Sequence, residues 1–192
     1  MSGMILVIPT LMMSMVCSAL LFLLFRKTRG LERSVRIKAY GKQLAYALVL
    51  SAAISGSAIL LAAGLGGLNI PAAPIFLFLW PASFFIMALF VGAFDLALPP
   101  GILVIIVCFA FGMSSAMFAY EMLPVFWQHW VYPWVPQRFM GDGIRSIIYM
   151  NAAPWNNSSL PLLLTEAIGL VMLAIATLIP ARKRVDPDTK TI

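Results

Sequence analysis

Charge is scarce in this chain, and acidic charge scarcer still. Of 192 residues 10% are charged, and Asp and Glu together number 7 against 13 Lys and Arg. A soluble domain carries about 25% charged residues. With 62% hydrophobic residues and a mean hydropathy of +0.97, the composition excludes a water-soluble domain of this length.

Groups that do chemistry are just as thin. There is 1 histidine and there are 2 cysteines. His129 stands between Trp127 and Trp130 and reads as the polar tip of an interfacial segment rather than a base or ligand. Cys17 and Cys108 sit in separate apolar stretches with no metal-like spacing. The acids Glu32, Asp95, Glu121, Asp142, Glu166, Asp186 and Asp188 form no acid/base or metal pair in sequence, and no nucleophile motif accompanies them. Gly41-Lys42 is not a phosphate loop, because the upstream glycine position is Arg36. The expectation is therefore no enzyme, no cofactor and no metal site.

What the chain has in quantity is apolar length. Five blocks, at 4–25, 44–65, 74–96, 101–120 and 160–180, each approach the ~20 residues that cross a ~30 Å hydrocarbon layer. The cations are grouped around them: 7 fall in 26–42 and 4 in 182–190, leaving Arg138 and Arg145. The positive-inside bias puts the basic loop 26–42 and the tail 181–192 in the cytoplasm, and the N-terminus, 66–73 and the loop 121–159 outside. The expected fold is all-α: a polytopic membrane protein, one transmembrane domain over 1–192, with five transmembrane helices and an interfacial external segment before the last. The first block lacks a basic n-region and is followed by Arg26, Lys27 and Arg29 instead of a cleavage site, so it reads as a retained helix. The net charge of +6 and pI near 9.7 then belong to topogenic loops beside an anionic leaflet, and no nucleic-acid partner is expected.

Within this frame the connections differ. The turn 96–100, Leu-Ala-Leu-Pro-Pro, makes the third and fourth helices neighbours. Ser51 to Ser57 offers small residues at helical spacing for close packing or for lining a path, and Pro81 should kink the third helix. The stretch 26–42 forms a short interfacial helix or a solvated loop. As a helix it groups Leu31, Val35 and Lys38 on one face and Arg29, Arg33 and Arg36 on another, a surface for lipid headgroups or an acidic partner.

The segment 121–159 holds most of the tryptophan. It is broken by Pro124, Pro133 and Pro136 and expected to lie along the outer interface, with a short surface helix after Gly141-Asp142-Gly143-Ile144-Arg145. Glu166 lies about 9 Å inside the last helix at 1.5 Å per residue. A carboxylate there costs roughly 2.5–3.5 kcal/mol unless paired, protonated or wet. Arg145 or Arg138 is the natural clamp, and a substrate or proton role is the alternative. Asp95 can reach the interface more cheaply.

Three runs carry a resemblance: Glu121-Met122-Leu123-Pro124-Val125-Phe126-Trp127-Gln128, then Pro133-Trp134-Val135-Pro136, then Asp142-Gly143-Ile144-Arg145. Together they resemble the C-terminal signature of the YhgE/Pip (phage infection protein) family, which is itself similar to the membrane subunits of type-2 ABC exporters. The likeness covers about 110–182 closely and the rest by helix order. Two departures stand out. Ser114-Ser115-Ala116-Met117-Phe118-Ala119 replaces the family's Ser-Gly-Gly-x-Phe-Pro, and the family's first helix and long external domain have no counterpart. The resemblance implies a permease-like protein taking part in export across the plasma membrane of a bacterium. A homodimer or a subunit supplying the first helix and external domain would complete it, and a cytosolic ATPase would dock on 26–42. It adds Glu121 to the candidate functional residues Glu166 and Arg145, beside Arg29, Arg33 and Arg36 for partner or lipid. The other class is a non-transporting scaffold or surface receptor.

Overall fold

A computed structural model describes residues 2–26, 33–64, 67, 70–117 and 122–178. Every regular element among them is helical. In order they are α1 (Ser2–Phe25), α2 (Arg33–Gly64), α3 (Ala72–Leu96), α4 (Leu98–Met117), a single π-helical turn (Trp127–Val131), α5 (Pro136–Met150) and α6 (Ser159–Leu178). Four of them, α1, α2, α3 and α6, are long and apolar enough to cross a membrane. Helix α4 has 20 residues, of which Gly101–Gly112 is the described apolar stretch.

The bundle is built around α3. From Ile86 to Asp95 every side chain on it is buried, so α3 has neighbours on all sides, as an all-round apolar helix requires. It packs on α6, α2, α1, α4 and α5. Its tightest crossing is with α6, where Gly92 and Gly169 meet. A β-carbon on Gly92 would run into the Gly169 carbonyl, and one on Gly169 into the backbone of Leu89. Close backbone-to-backbone approach through small residues is the packing found between helices in lipid, where no hydrophobic drive exists.

Two core clusters fill the bundle. Leu21, Tyr40, Val91, Leu173 and Ala176 join the C-terminal parts of α1, α3 and α6 to the start of α2. Leu6, Ala62, Ile75, Met140, Ile144 and Leu162 join the opposite ends of those helices to α5. Helices α1, α3 and α6 therefore run one way and α2 the other. Helix α3 passes to α4 through a single extended residue, Ala97, so the two are neighbours as expected, but the turn is shorter than 96–100 because Leu98-Pro99-Pro100 open α4.

Two expectations are corrected here. The basic loop does not last to residue 42, because α2 begins at Arg33 and runs unbroken for 32 residues. Nothing between Arg33 and Gln43 stops a helix: there is no proline, and Gly41 costs only about 1 kcal/mol relative to alanine. At 1.5 Å per residue α2 is about 48 Å long, well beyond a ~30 Å hydrocarbon layer. The second correction is α5. It starts at Pro136, earlier than expected, takes in both Gly141 and Gly143, and packs its apolar face onto the end of the bundle while Arg145, Tyr149 and Met150 stay exposed. Val135 is extended, as a residue before proline is, and Pro136 occupies the first turn, where its missing N–H costs nothing. Met140, Ile144 and Ile147, at helical spacing, are fully buried, and Gly143 leaves room for the Phe78 ring of α3.

Candidate functional site

Polar side chains inside the bundle form a seam across α1, α2 and α3. Thr10, Ser14, Ser18, Ser51, Ser55 and Ser83 are all fully buried. Most hydroxyls return to their own helix: Thr10 Oγ1 donates to the Leu6 carbonyl at 2.6 Å and Ser18 Oγ to the Ser14 carbonyl at 2.6 Å. Two reach across. Ser55 and Ser83 hydroxyls pair at 3.1 Å, and Ser18 Oγ lies 3.4 Å from the Met87 carbonyl. Since α1 and α3 run the same way, Ser14 and Ser83 stand one turn before Ser18 and Met87, at one level. The small-residue stripe of α2 thus packs on α3, as the packing alternative had it.

Near the start of α2 the seam meets harder chemistry. Gln43 is 0% exposed, and neither its amide nitrogen nor its amide oxygen has a hydrogen-bond partner. An unsatisfied buried group costs about 1–3 kcal/mol. Arg36, two turns earlier, is 5% exposed and directs Nη2 at the Thr177 carbonyl, 3.4 Å away at the end of α6. A cation there answers the negative end of the α6 dipole. This corrects the shared basic face: Arg33 is exposed, but Arg36 falls on the inward stripe with Ala39, Tyr40 and Gln43. Arg29 lies outside the described residues. Asp95, expected at the interface, is buried in the last turn of α3.

At the other end of the bundle the π-helical turn and α5 form a polar and aromatic cap. Trp127 packs on Phe111 at 5.3 Å and on Phe126 at 5.7 Å, its indole N–H buried without a partner. Trp130 is 72% and Trp155 64% exposed, in keeping with the interfacial expectation. His129 is exposed, with Nδ1 3.0 Å from the Val125 carbonyl. Gln137 is buried against α4: its Nε2 donates to the Cys108 carbonyl at 3.0 Å, and its amide occupies the space a side chain at Gly112 would need. Its Oε1 has no partner.

Both arginines named as a clamp for Glu166 hold a carboxylate within α5. Arg145 Nη1 donates to Asp142 Oδ1 at 3.1 Å and Arg138 Nε to Asp142 Oδ2 at 3.4 Å. Asp142, four residues after one and three before the other, lies on the same helical face as both. Arg138 also donates to the Tyr132 carbonyl at 3.1 Å and stacks 3.9 Å above the Tyr132 ring. Glu166 belongs to α6, but its side chain is outside the described residues, as is all of Glu121. Below this cap Asn156 ties the final connection down, with Nδ2 donating to the Gly143 carbonyl at 3.3 Å and Oδ1 accepting the Ser158 N–H at 3.0 Å.

Sequence reasoning missed Gln43, Gln137 and the Gly92–Gly169 crossing. The two glycines had a signal, each standing alone in an apolar stretch, whereas Gln43 beside Lys42 and Gln137 beside Arg138 had none. Among the described residues no three His, Cys, Asp or Glu side chains come together as a metal site. No protein-family model, curated protein or solved structure matches the chain.

Proposed function

We propose that the chain is a plasma-membrane protein in which α1, α2, α3, α4 and α6 cross the bilayer and α5 lies at the outer end, and that it works as a permease-like component of an export system. The observation that carries this reading is the course of α2. Its 32 residues are more than one crossing needs, and the same unbroken helix carries the basic first turn into the bundle, touching α6 through Arg36 and α3 through Ser55. A partner that moves the first turns moves both contacts. Buried polar atoms without a partner at Gln43, Ser14 and Gln137 support the reading, since polar groups inside a membrane are costly and mark functional positions.

The resemblance of 121–128, 133–136 and 142–145 to the YhgE/Pip signature points to the same class, with the N-terminus outside and a cytosolic ATPase on the first turns of α2. This last step is analogy at the level of the fold. Comparative mass spectrometry of material released by cells with and without the chain tests the reading. At least one exported class should fall on deletion and return with the wild type. An unchanged export profile in both strains sinks it.

The exposed apolar rim at the outer end, with Met122, Val125, Phe126 and Trp130, favours the second reading, a scaffold or receptor for a secreted factor. In that case deletion leaves export intact, while removing the aromatic rim abolishes capture of the factor.

A further inference from the structure

Between α4 and α6 the bundle is not closed. A crevice of about 290 Å³ opens there, floored by Leu89 of α3, walled by Leu103, Val107 and Cys108 of α4 and by Ile168 of α6, and roofed by Trp134. Packed interiors hold few voids larger than a water molecule, and this volume is close to the ~300 Å³ at which small-molecule pockets begin. Its lining is almost wholly apolar. Water gains little there, since a hydrating site needs polar partners.

Two features say what would fill it. The crevice opens on the outward faces of α4 and α6, among the exposed aliphatic side chains Leu103, Ile106, Ile168 and Val171. On the membrane reading proposed above, on which this inference rests, those faces meet lipid chains. The second feature is charge at the start of α5, the helix that follows the roof in sequence. Pro136, also in the lining, opens α5, which has no side-chain cap at its N-terminus. Arg138 follows in its first turn. Among the described residues Arg138 and Arg145 share the single carboxylate of Asp142, so positive charge outweighs negative there, next to the positive end of a helix dipole. Apolar hollow and anion-seeking rim together describe the two halves of an amphiphile.

We propose that the crevice seats one acyl chain of an outer-leaflet phospholipid, with the lipid phosphate held against Arg138 and the start of α5. Reconstitution of the whole chain into vesicles of phosphatidylglycerol and phosphatidylcholine, each carrying a diazirine in the acyl chain, tests this by mapping adducts after illumination. Adducts at Leu103, Val107 and Ile168 should exceed those at Leu60 and Leu61, which are exposed far from the crevice, about tenfold. Val107→Trp, which fills the hollow, should remove the excess. Leu103→Trp, at the exposed rim, should lower it without risk to the fold. Arg138→Gln should leave the adduct positions unchanged and erase any preference for phosphatidylglycerol.

Even labelling of all outward faces would mean ordinary surrounding lipid and overturn the proposal, as would adducts that vanish because a second copy covers α4 and α6, detected as Leu103→Cys disulfide dimers. Flotation separates this failure from that of the membrane reading: protein that floats with the vesicles but labels evenly refutes only the lipid seat. Protein that stays in the aqueous phase refutes the membrane reading itself.

Discussion

Arg36 on the third residue after the start of α2 reaches the carbonyl of Thr177 on the last turn of α6, 3.4 Å away and nearly shielded from solvent. The contact links residues 141 positions apart in sequence. It also leaves Arg36 Nε without a partner, so the guanidinium is held by position more than by a full set of bonds.

Replacing Arg36 with Met keeps the packing of the stem and deletes the charge. The Thr177 carbonyl loses its donor, and the expected loss is about 1–2 kcal/mol, read as a lower melting temperature in detergent. Arg33→Met, on the exposed side, should fall within about 0.5 kcal/mol of wild type. Equal effects would show that Arg36 is not distinguished by its contact.

The α3–α6 crossing makes a sharper contrast. Gly92→Ala and Gly169→Ala each place a β-carbon against backbone that cannot swing aside, and each should cost about 3 kcal/mol or prevent assembly. Gly56→Ala meets nothing within 4 Å and should stabilise by about 0.5–1 kcal/mol through helix propensity. Limited proteolysis of the three variants in membranes orders them, and tolerance of Gly92→Ala would contradict the crossing.

Gln43 is costly where it is. Exchanging it for Met removes two unsatisfied buried atoms at nearly constant shape, so the variant should melt higher, by about 1–2 kcal/mol of stability. If Gln43 serves the proposed export, the same variant exports less while being more stable. A Gln43→Met protein of lower stability would reveal a partner for the amide.

Arg145 decides between two acids. A double-mutant cycle with Asp142 should give a coupling of about 0.3–0.5 kcal/mol, ordinary for a solvated pair on one helix. The corresponding cycle with Glu166 should give less. A coupling above about 1 kcal/mol with Glu166 would restore the loop-to-helix clamp.

Orientation follows from the cations. In a background with Cys17 and Cys108 replaced by Ser, a membrane-impermeant thiol reagent should label Ser158→Cys in intact cells and Ser34→Cys only after permeabilisation. The reverse pattern would invert every assignment of side.

The apolar helices were legible in the sequence because hydropathy sums over a whole crossing and single residues hardly matter. Their ends were less so. The start of α2 was placed at residue 44 because charge was read as the boundary, yet charged residues are good helix formers and only a breaker ends a helix. Helix α5 was hidden by Gly141 and Gly143, which look like a turn until the Phe78 ring that lies on Gly143 is known. The centrality of α3 was written in the unbroken apolar run from Ile86 to Phe94, but in lipid such a run equally describes a helix with no neighbours. Gln43 and Arg36 differ from their neighbours only by facing inward, and that depends on how α2 is rotated, which the spacing of Ala39, Tyr40 and Ala47 only hints at.

The enclosure of α3 also has a temporal side. The ribosome delivers α3 well before α6, so the notch at Gly92 waits for Gly169, 77 residues later in the chain. The central helix is thus among the first made and the last to be covered. A nascent chain arrested before α6 leaves that notch uncovered, and the quality of the finished bundle is decided at the very end of its synthesis.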